Sequence, residues 1–250
     1  MYTLKIRSKN HTANELRRVI RSNKRAVLRL GSSTPLADIF PGVRDLSNVM
    51  EINSIQACKV SGNKTLMKQA FDRAEVKTAE WGEVTTEWDK FPAIIKHNHS
   101  SKGNGIYYIT NAEELREWLS THSAANHIIE KYYTYSKEYR LHVTKGGCFY
   151  TCRKMLRNDA QERWHRHDSN SVWIVEENPQ FAKPANWDDI VAECVKALNA
   201  VGLDIAAVDI KVQSREATPK FIILETNSAP SLGERTVREY KTKLAAMLNE

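Results

Sequence analysis

Short apolar runs alternate with polar turns through the middle of the chain, and longer amphipathic stretches flank them. Short runs rich in Val, Ile, Phe and Tyr are typical of β-strands, whereas apolar residues spaced three and four positions apart are typical of helices. The helical spacing predicts helices over residues 12–22, 63–74, 187–201 and 234–248, and another that begins near Thr110. The strand pattern predicts strands over residues 26–30, 93–96, 105–109, 127–132, 138–143, 148–155, 171–175, 206–212 and 221–227. Strands that dominate the middle, with helices beside them, favour α+β lobes over one doubly wound sheet.

The last two predicted strands carry three oxygen-bearing side chains. The run Ala206–Val212 contains one carboxylate, Asp209, and the run Phe221–Asn227 ends in Glu225 and Asn227. Residues two apart on a strand point to the same face. If the two strands pair, the three side chains converge, and hard oxygen ligands of this kind can hold Mg²⁺ beside a nucleotide triphosphate. Two buried strands with polar ends fit these segments equally well, so the rest of the chain has to decide.

A lysine and a glycine-containing loop follow another predicted strand. The apolar strand ends in Lys96, and the polar loop after it contains Ser101, Gly103 and Gly105. Backbone N–H groups of a small, flexible loop can surround phosphate oxygens, and a neighbouring lysine adds a positive point charge. The segment therefore indicates a phosphate-binding flap, with an ordinary hairpin loop as the alternative.

Two glutamates belong to the next strands along the chain. The strand predicted over 127–132 would lie beside the flap, and its exit from the sheet could hold a flat base through backbone groups. Glu130 or Glu138 could then accept hydrogen bonds from ribose hydroxyl groups. Taken alone, both are also compatible with a solvated surface.

Composition and charge narrow the class of protein. The 250 residues suffice for one compact unit of two or three subdomains, and 41% hydrophobic with 27% charged residues is ordinary for a globular protein. No apolar run approaches the roughly 20 residues of a membrane span, the start lacks the apolar segment of a secretion signal, and the four cysteines have no metal or disulfide spacing. These features predict a cytoplasmic protein without a membrane partner.

The formal net charge of +7 is compatible with nucleic acid and also with a site that neutralises phosphates. Basic residues concentrate before residue 30 and between Lys131 and Arg166. The first group is interpreted mainly as the solvated face of a helix. The second falls where phosphate chemistry is expected.

In this order the segments resemble the ATP-grasp fold, over residues 53–230. The matching segments are residues 53–57 with Lys64 for the entry helix, 75–81 for the strand into the ATP lobe, 91–96 for the lysine strand, 100–105 for the flap, 129–133 for the adenine hinge, 138–140 for the ribose and phosphate contacts, and 208–209 with 224–230 for the metal-binding strands. The resemblance implies two α+β lobes that clasp ATP behind a short N-terminal α/β subdomain. The implied division is residues 1–60, a small lobe over 61–130 and a large lobe over 131–250.

The resemblance also implies a chemistry, that of carboxylate–amine ligases of the RimK-like or phage type. In this family a substrate carboxylate attacks the γ-phosphate of ATP, which gives an acyl phosphate and ADP, and an amine then displaces phosphate. The implied cofactors are ATP and one or two Mg²⁺ ions, with Mn²⁺ as a substitute. The implied partners are a carboxylate and an amine, and the short N-terminal region fits a large acidic molecule such as a peptide. A nucleic acid is the less favoured partner.

The resemblance assigns roles to individual residues. The metal ligands are Asp209, Glu225 and Asn227, and the residues with catalytic roles are Arg140, Lys154 and Arg163. Arg163 is preferred over Arg166 as the arginine that meets the substrate carboxylate. The nucleotide-binding residues are Lys64, Lys96, Ser101, Gly103, Gly105, Glu130, Lys131, Tyr132 and Glu138.

Three alternatives stay open at this level. The same fold could act as a phosphotransferase that leaves a stable phosphorylated product, or the chain could be a non-catalytic module that binds nucleotide or nucleic acid. A structural zinc ion at His97 and His99, or at His165 and His167, is a weaker alternative. Imidazoles two apart on a strand share a face, but no cysteine or acidic residue lies at a ligand spacing.

Overall fold

The computed structural model describes residues 2–8, 16, 20–100, 105–167, 169–213 and 218–249. In chain order the elements are β1 (Tyr2–Thr3), β2 (Lys5–Ser8), β3 (Arg21–Ser22), β4 (Ala26–Leu30), α1 (Leu36–Ile39), β5 (Met50–Ile52), α2 (Ile55–Ser61), α3 (Lys64–Arg73), β6 (Trp81–Glu83), β7 (Ala93–His97), β8 (Ile106–Ile109), α4 (Ala112–Thr121), β9 (His127–Lys131), β10 (Lys137–Thr144), β11 (Gly147–Leu156), β12 (Ser171–Val175), α5 (Trp187–Ala200), β13 (Ile205–Val212), β14 (Phe221–Asn227) and α6 (Glu234–Met247). The predicted bounds of α3, α5, α6 and the strands from β7 to β14 differ from these by one residue at most.

The described strands form four sheets. Strands β1 and β3 pair with each other, and β2, β4 and β5 form a parallel sheet in that order. The order β6-β9-β7-β8 makes an antiparallel small sheet, and β12-β11-β10-β13-β14 makes an antiparallel large sheet. The fold is thus the predicted α+β arrangement behind a short N-terminal α/β part.

The N-terminal parallel sheet packs against the last helix of the chain. Ile6, Leu28 and Ile52 from its three strands share a buried cluster with Tyr240 and Leu244 of α6. The helix predicted over residues 12–22 falls mostly outside the described residues. The prediction is wrong for its last two residues, because Arg21 and Ser22 form β3 and pair with β1 at the far N-terminus.

The small sheet has one face against helix α4 and the other against α3. Ala93, Ile95 and Ile129 point to α4, where they meet Leu115 and Trp118 in one cluster. Their neighbours along the strands point the opposite way because side chains alternate on a strand. The alternation therefore directs the intervening polar positions of β7 and β9 toward α3.

The large sheet likewise has one apolar and one polar face. Tyr139 and Leu141 of β10 and Val208 of β13 pack with Ile190 and Cys194 of α5, in the largest apolar cluster that the described residues form. The alternate positions of the same strands form the polar face, where charged side chains of β10, β11, β13 and β14 come together.

Helix α3 joins the small and the large sheet. Met67 and Phe71 of α3 belong to the core beneath the large sheet, while the adjacent Lys68 reaches Glu130 of the small sheet. No described helix combines the length and apolarity that crossing a membrane requires.

Candidate functional site

The polar face of the large sheet brings together Asp209, Glu225 and Asn227, here called the oxygen cluster. Asp209 of β13 lies directly opposite Glu225 of β14, and Asn227 pairs with Ala207 one step along the same face. A register shift after Asp209 keeps both β14 side chains in phase with it. Directly opposed residues have Cβ atoms about 5 Å apart, so their oxygens can approach one cation.

Arg140 completes this face from β10. It donates from Nε to Asp209 Oδ1 and from Nη2 to Asp209 Oδ2, both at 2.7 Å, as a bidentate pair. Burial opposes the Arg140 charge, but Asp209 outweighs it and raises the pKa of Arg140. Each carboxylate oxygen has two lone pairs, so the arginine leaves Asp209 able to bind a cation. Asn227 Oδ1 accepts a bond from Ala229 N at 2.9 Å and keeps a lone pair in the same way.

The donor set of the oxygen cluster fits a hard divalent cation. It consists of two carboxylates and one amide oxygen, the ligand types that Mg²⁺ and Mn²⁺ accept. Among the described residues, no group of three or more His, Cys, Asp or Glu side chains is placed to hold a metal ion. The oxygen cluster has two members of that kind, Asp209 and Glu225, because its third member is an asparagine.

Glu138, the acidic residue of β10, lies in a pocket of cations. Burial raises the pKa of Glu138, although Arg166, Lys154 and Lys211 act against that rise. Arg166 Nη1 is 3.5 Å from Glu138 Oε2, and Lys154 Nζ donates to the carbonyl of Arg166 at 2.8 Å. Arg163 is exposed. The structure therefore brings Arg166, rather than the preferred Arg163, to the polar face.

Lys211 is a charged member of this pocket that the sequence reasoning missed. Its ammonium lies 4.4 Å from the centre of the Tyr132 ring and donates to the Tyr133 carbonyl at 3.4 Å. Burial lowers the pKa of Lys211 to about 8, although Glu138 opposes the change. A local signal exists, because Lys211 is in phase with Asp209 on an otherwise apolar strand.

This pKa makes a testable prediction about stability. The folded protein releases the Lys211 proton at about pH 8, whereas the unfolded chain keeps it up to its ordinary pKa of 10.5. The unfolded state thus binds more protons between these values, and stability rises with pH there. We expect the free energy of unfolding of the wild type, relative to Lys211→Met, to increase between pH 8 and 10 by at most roughly 1.4 kcal/mol per pH unit. Urea titrations at several pH values measure this difference in the free energy of unfolding. Lys220→Met, at an exposed lysine, should show the same pH dependence of stability as the wild type. A difference between the wild type and Lys211→Met that does not change with pH would contradict the lowered pKa of Lys211.

A Lys–Glu–Lys cluster of Lys68, Glu130 and Lys96 lies between α3 and the small sheet. Glu130 is 3% exposed; its Oε2 accepts from Lys96 Nζ at 2.7 Å, and its Oε1 forms an ion pair with Lys68 Nζ at 3.2 Å. Burial would raise the pKa of Glu130, but the two lysines hold it at about 2. Both of its oxygens are thus engaged by ammonium groups. The sequence reasoning missed Lys68, although Lys64 and Lys68 are four apart and share one face of α3.

The flap begins beside this cluster. Lys64 Nζ donates to the Ser100 carbonyl at 2.7 Å, and the His97 N–H donates to the Gly105 carbonyl at 3.2 Å, which closes the loop. Gly105 has φ of 63°, a backbone conformation that favours glycine. Ser101 and Gly103 lie outside the described residues.

The predicted hinge residues point in different directions. Lys131 turns outward and forms an ion pair with Glu80 at 3.1 Å. Tyr132 turns toward the large sheet, where its hydroxyl donates to the Trp164 carbonyl at 2.8 Å. Tyr132 therefore joins the two lobes, whereas the Lys131 side chain is directed away from the Lys–Glu–Lys cluster.

The histidine pairs have other hydrogen-bond partners. His97 Nδ1 accepts from the backbone N–H of His99, and His99 Nδ1 lies 3.1 Å from the Gly62 carbonyl. Burial lowers the pKa of His165 to about 4, and His167 Nδ1 lies 2.7 Å from Ser169 Oγ. These contacts disfavour the zinc alternative.

The chain is similar to several solved structures, whereas no family model matches it. The carboxyaminoimidazole ribonucleotide synthase of Aspergillus clavatus in complex with ATP is similar, with a TM-score of 0.67 and 16% identity over 98% of this chain and 69% of that chain. D-alanine–D-alanine ligase from Bacillus anthracis complexed with ATP has a TM-score of 0.59 and 16% identity, over 88% and 74%. The ATP-grasp ligase PsnB complexed with a minimal precursor has a TM-score of 0.60 and 17% identity, over 90% and 78%.

These likenesses define the class of protein by its fold. Solved structures of an ATP-bound ligase and an ATP-bound synthase share its overall fold. The chain has the ATP-grasp fold, as the sequence resemblance implied. In another structure of the Bacillus anthracis ligase, this chain spans 66% of the length of that protein.

Proposed function

We propose that the protein is an ATP-dependent carboxylate–amine ligase that forms an acyl phosphate and releases ADP and phosphate. The observation that carries the proposal is the pairing of β13 with β14, which sets Asp209 opposite Glu225 with Arg140 bound to Asp209. Such a face can bind cation and phosphate together. In this proposal residues 61–130 cover the nucleotide and residues 131–250 supply the metal ligands.

The residues of the oxygen cluster would hold one or two Mg²⁺ ions, or Mn²⁺, against the nucleotide phosphates. A bound divalent ion supplies positive charge that lowers the repulsion between phosphate and an anionic nucleophile. Lys96 and Lys64 would bind phosphate oxygens from the small-lobe side. Flap backbone N–H groups, including those near Ser101, Gly103 and Gly105, would surround the same oxygens.

The base and ribose would lie between the two lobes. The backbone of Lys131 and the ring of Tyr132 would border the base, and Glu138 would accept from ribose hydroxyls. Arg140 and Lys154 would stabilise the charge of the transferring phosphoryl group, because fixed cations act strongly where water is excluded. Arg166 is proposed in place of Arg163 for the substrate carboxylate, since Arg166 lies beside Glu138 and Arg163 is exposed.

The chemistry requires activation of the carboxylate. Direct attack of an amine on a carboxylate would have to expel oxide, a poor leaving group. Phosphorylation makes the same oxygen part of a phosphate, which is a good leaving group. The carboxylate attacks the γ-phosphorus and the bond to ADP breaks. The amine then attacks the acyl carbon, phosphate leaves with the bonding electrons, and the amine loses a proton. The amine acceptor is proposed to be a small molecule or a peptide.

Trapping of the acyl phosphate tests this proposal. The protein is incubated with ATP, Mg²⁺ and pooled amino acids, dicarboxylates and acidic peptides, with hydroxylamine as the trapping amine. We expect carboxylate-dependent ADP release and a hydroxamate identified by mass. A stable phosphorylated product formed without an amine would instead indicate a phosphotransferase. Nucleotide binding without turnover of any carboxylate would indicate a binding module.

A further inference from the structure

We propose that Lys68 is a positioning residue that keeps the charge of Lys96 available to nucleotide phosphates by neutralising Glu130. The inference rests on the proposed function, in which Lys96 binds phosphate. Lys68 itself would not touch the nucleotide, because its side chain is fully buried.

Exposure distinguishes the two lysines of the Lys–Glu–Lys cluster. The side chain of Lys68 is 0% exposed and that of Lys96 is 14% exposed, although both bind Glu130. Lys68 Nζ also donates to Thr78 Oγ1 at 2.5 Å, and Thr78 Oγ1 donates to the Ile223 carbonyl of β14 at 2.8 Å. Lys68 is thus held from the large-lobe side, while Lys96 is the lysine that an incoming anion can reach.

The charge count gives Lys68 its role. Two ammonium groups and one carboxylate give the cluster a net charge of +1. A cluster of Glu130 and Lys96 alone would be neutral, and a phosphate approaching Lys96 would also meet the repulsion of the carboxylate nearby. With Lys68 present, the cluster keeps one uncompensated positive charge. An incoming phosphate meets that charge at Lys96, because Lys96 is the exposed lysine of the cluster.

While Lys68 is present, the carboxylate offsets the charges of the lysines around it. Burial, together with repulsion from Lys96, lowers the pKa of Lys64 and of Lys68. Glu130 opposes both changes and orients Lys96 by a direct hydrogen bond. Glu130 therefore acts on the nucleotide site through Lys96.

A charge-rescue experiment separates this role from a structural one. Binding of ATP is measured by calorimetry for the wild type, Lys68→Met, Lys68→Gln and the double variant Lys68→Met/Glu130→Gln. Either single change makes the cluster neutral, and we expect at least about a 10-fold loss of ATP affinity. The double variant again has a net charge of +1 from Lys96, so its affinity should return to within about 3-fold of the wild type. Adenosine, which has no phosphates, should compete with equal strength in all variants.

The outcomes are distinct. Wild-type affinity in the single variants, or a double variant no better than Lys68→Met, would overturn the role of Lys68 and leave the ligase proposal intact. Absence of ATP binding by the wild type would instead refute the proposed function. Lys59→Met, which removes an exposed lysine from α2, is the control and should bind ATP normally. If Lys68→Met does not fold, Lys68→Gln supplies the single-variant result, because its amide can still bond to Thr78 and Glu130.

Discussion

Glu225→Ala is expected to lower carboxylate-dependent ADP release by at least about 100-fold, equivalent to about 2.7 kcal/mol of transition-state stabilisation. The variant removes one of the two carboxylates of the oxygen cluster and leaves Asp209, which Arg140 already engages through both oxygens. The remaining donors would hold a divalent cation weakly, so the developing charge on the phosphates would be less well neutralised. Coupled-enzyme assays of ADP with increasing Mg²⁺ or Mn²⁺ measure the effect.

The matched control for this experiment is Glu239→Ala, which removes an exposed carboxylate from α6. It should retain wild-type turnover and the same Mg²⁺ dependence. A Glu225→Ala enzyme within about threefold of the wild type would show that Glu225 is not a metal ligand in the reaction. Partial recovery at high Mn²⁺ would support the assignment, because a stronger-binding ion tolerates the loss of one ligand better.

Asn53→Ala is expected to destabilise the protein by about 3 to 5 kcal/mol. Asn53 is fully buried and has φ of 64°. Its Nδ2 donates to the Arg29 and Ile205 carbonyls at 3.0 and 2.9 Å, and its Oδ1 accepts from the Asp204 and Ile205 N–H groups at 2.8 and 3.1 Å. The side chain thus joins the N-terminal sheet to the start of β13, and alanine would leave these buried groups without their partner.

Urea denaturation measures this change as a lower midpoint with an unchanged dependence on denaturant. Asn53→Asp keeps the acceptor but sets a buried carboxylate oxygen against the Arg29 and Ile205 carbonyls, so a loss at least as large as that of Asn53→Ala is expected. The exposed Asn48→Ala should stay close to the wild type. A loss below about 1 kcal/mol for Asn53→Ala would mean that water replaces the lost hydrogen bonds.

Much of the secondary structure was predictable because its signals are local. Helices α5 and α6 have apolar residues at the helical spacing, and α3 has the capping residue Asn63, which accepts a hydrogen bond from the Leu66 N–H at 3.1 Å. The strands β7, β13 and β14 are apolar runs bounded by polar turns. In contrast, β6 has three residues and β1 and β3 have two each, so these strands are too short to show an alternation of apolar and polar residues. Their partners lie elsewhere in the chain.

The candidate site divides in the same way. Lys96, Asp209, Glu225 and Asn227 could be singled out because a polar residue at the end of, or within, an apolar strand is visible in the sequence itself. Lys211 had the same signal and was overlooked. The choice between Arg163 and Arg166 was not visible, because it depends on how the chain between β11 and β12 folds back over Glu138.

By itself, the sequence determined the order of strands and helices, the ATP-grasp resemblance and the polar positions within apolar strands. The order of elements and the polar positions follow from side-chain alternation and helical spacing, which act over a few residues, whereas the resemblance is carried by the motifs and their order. Only the tertiary structure decided which charges meet: Arg140 with Asp209, 69 positions away, and Lys96 with Glu130, 34 positions away. An ion pair depends on the distance between two atoms, and that distance is set by which strands adjoin and in which register.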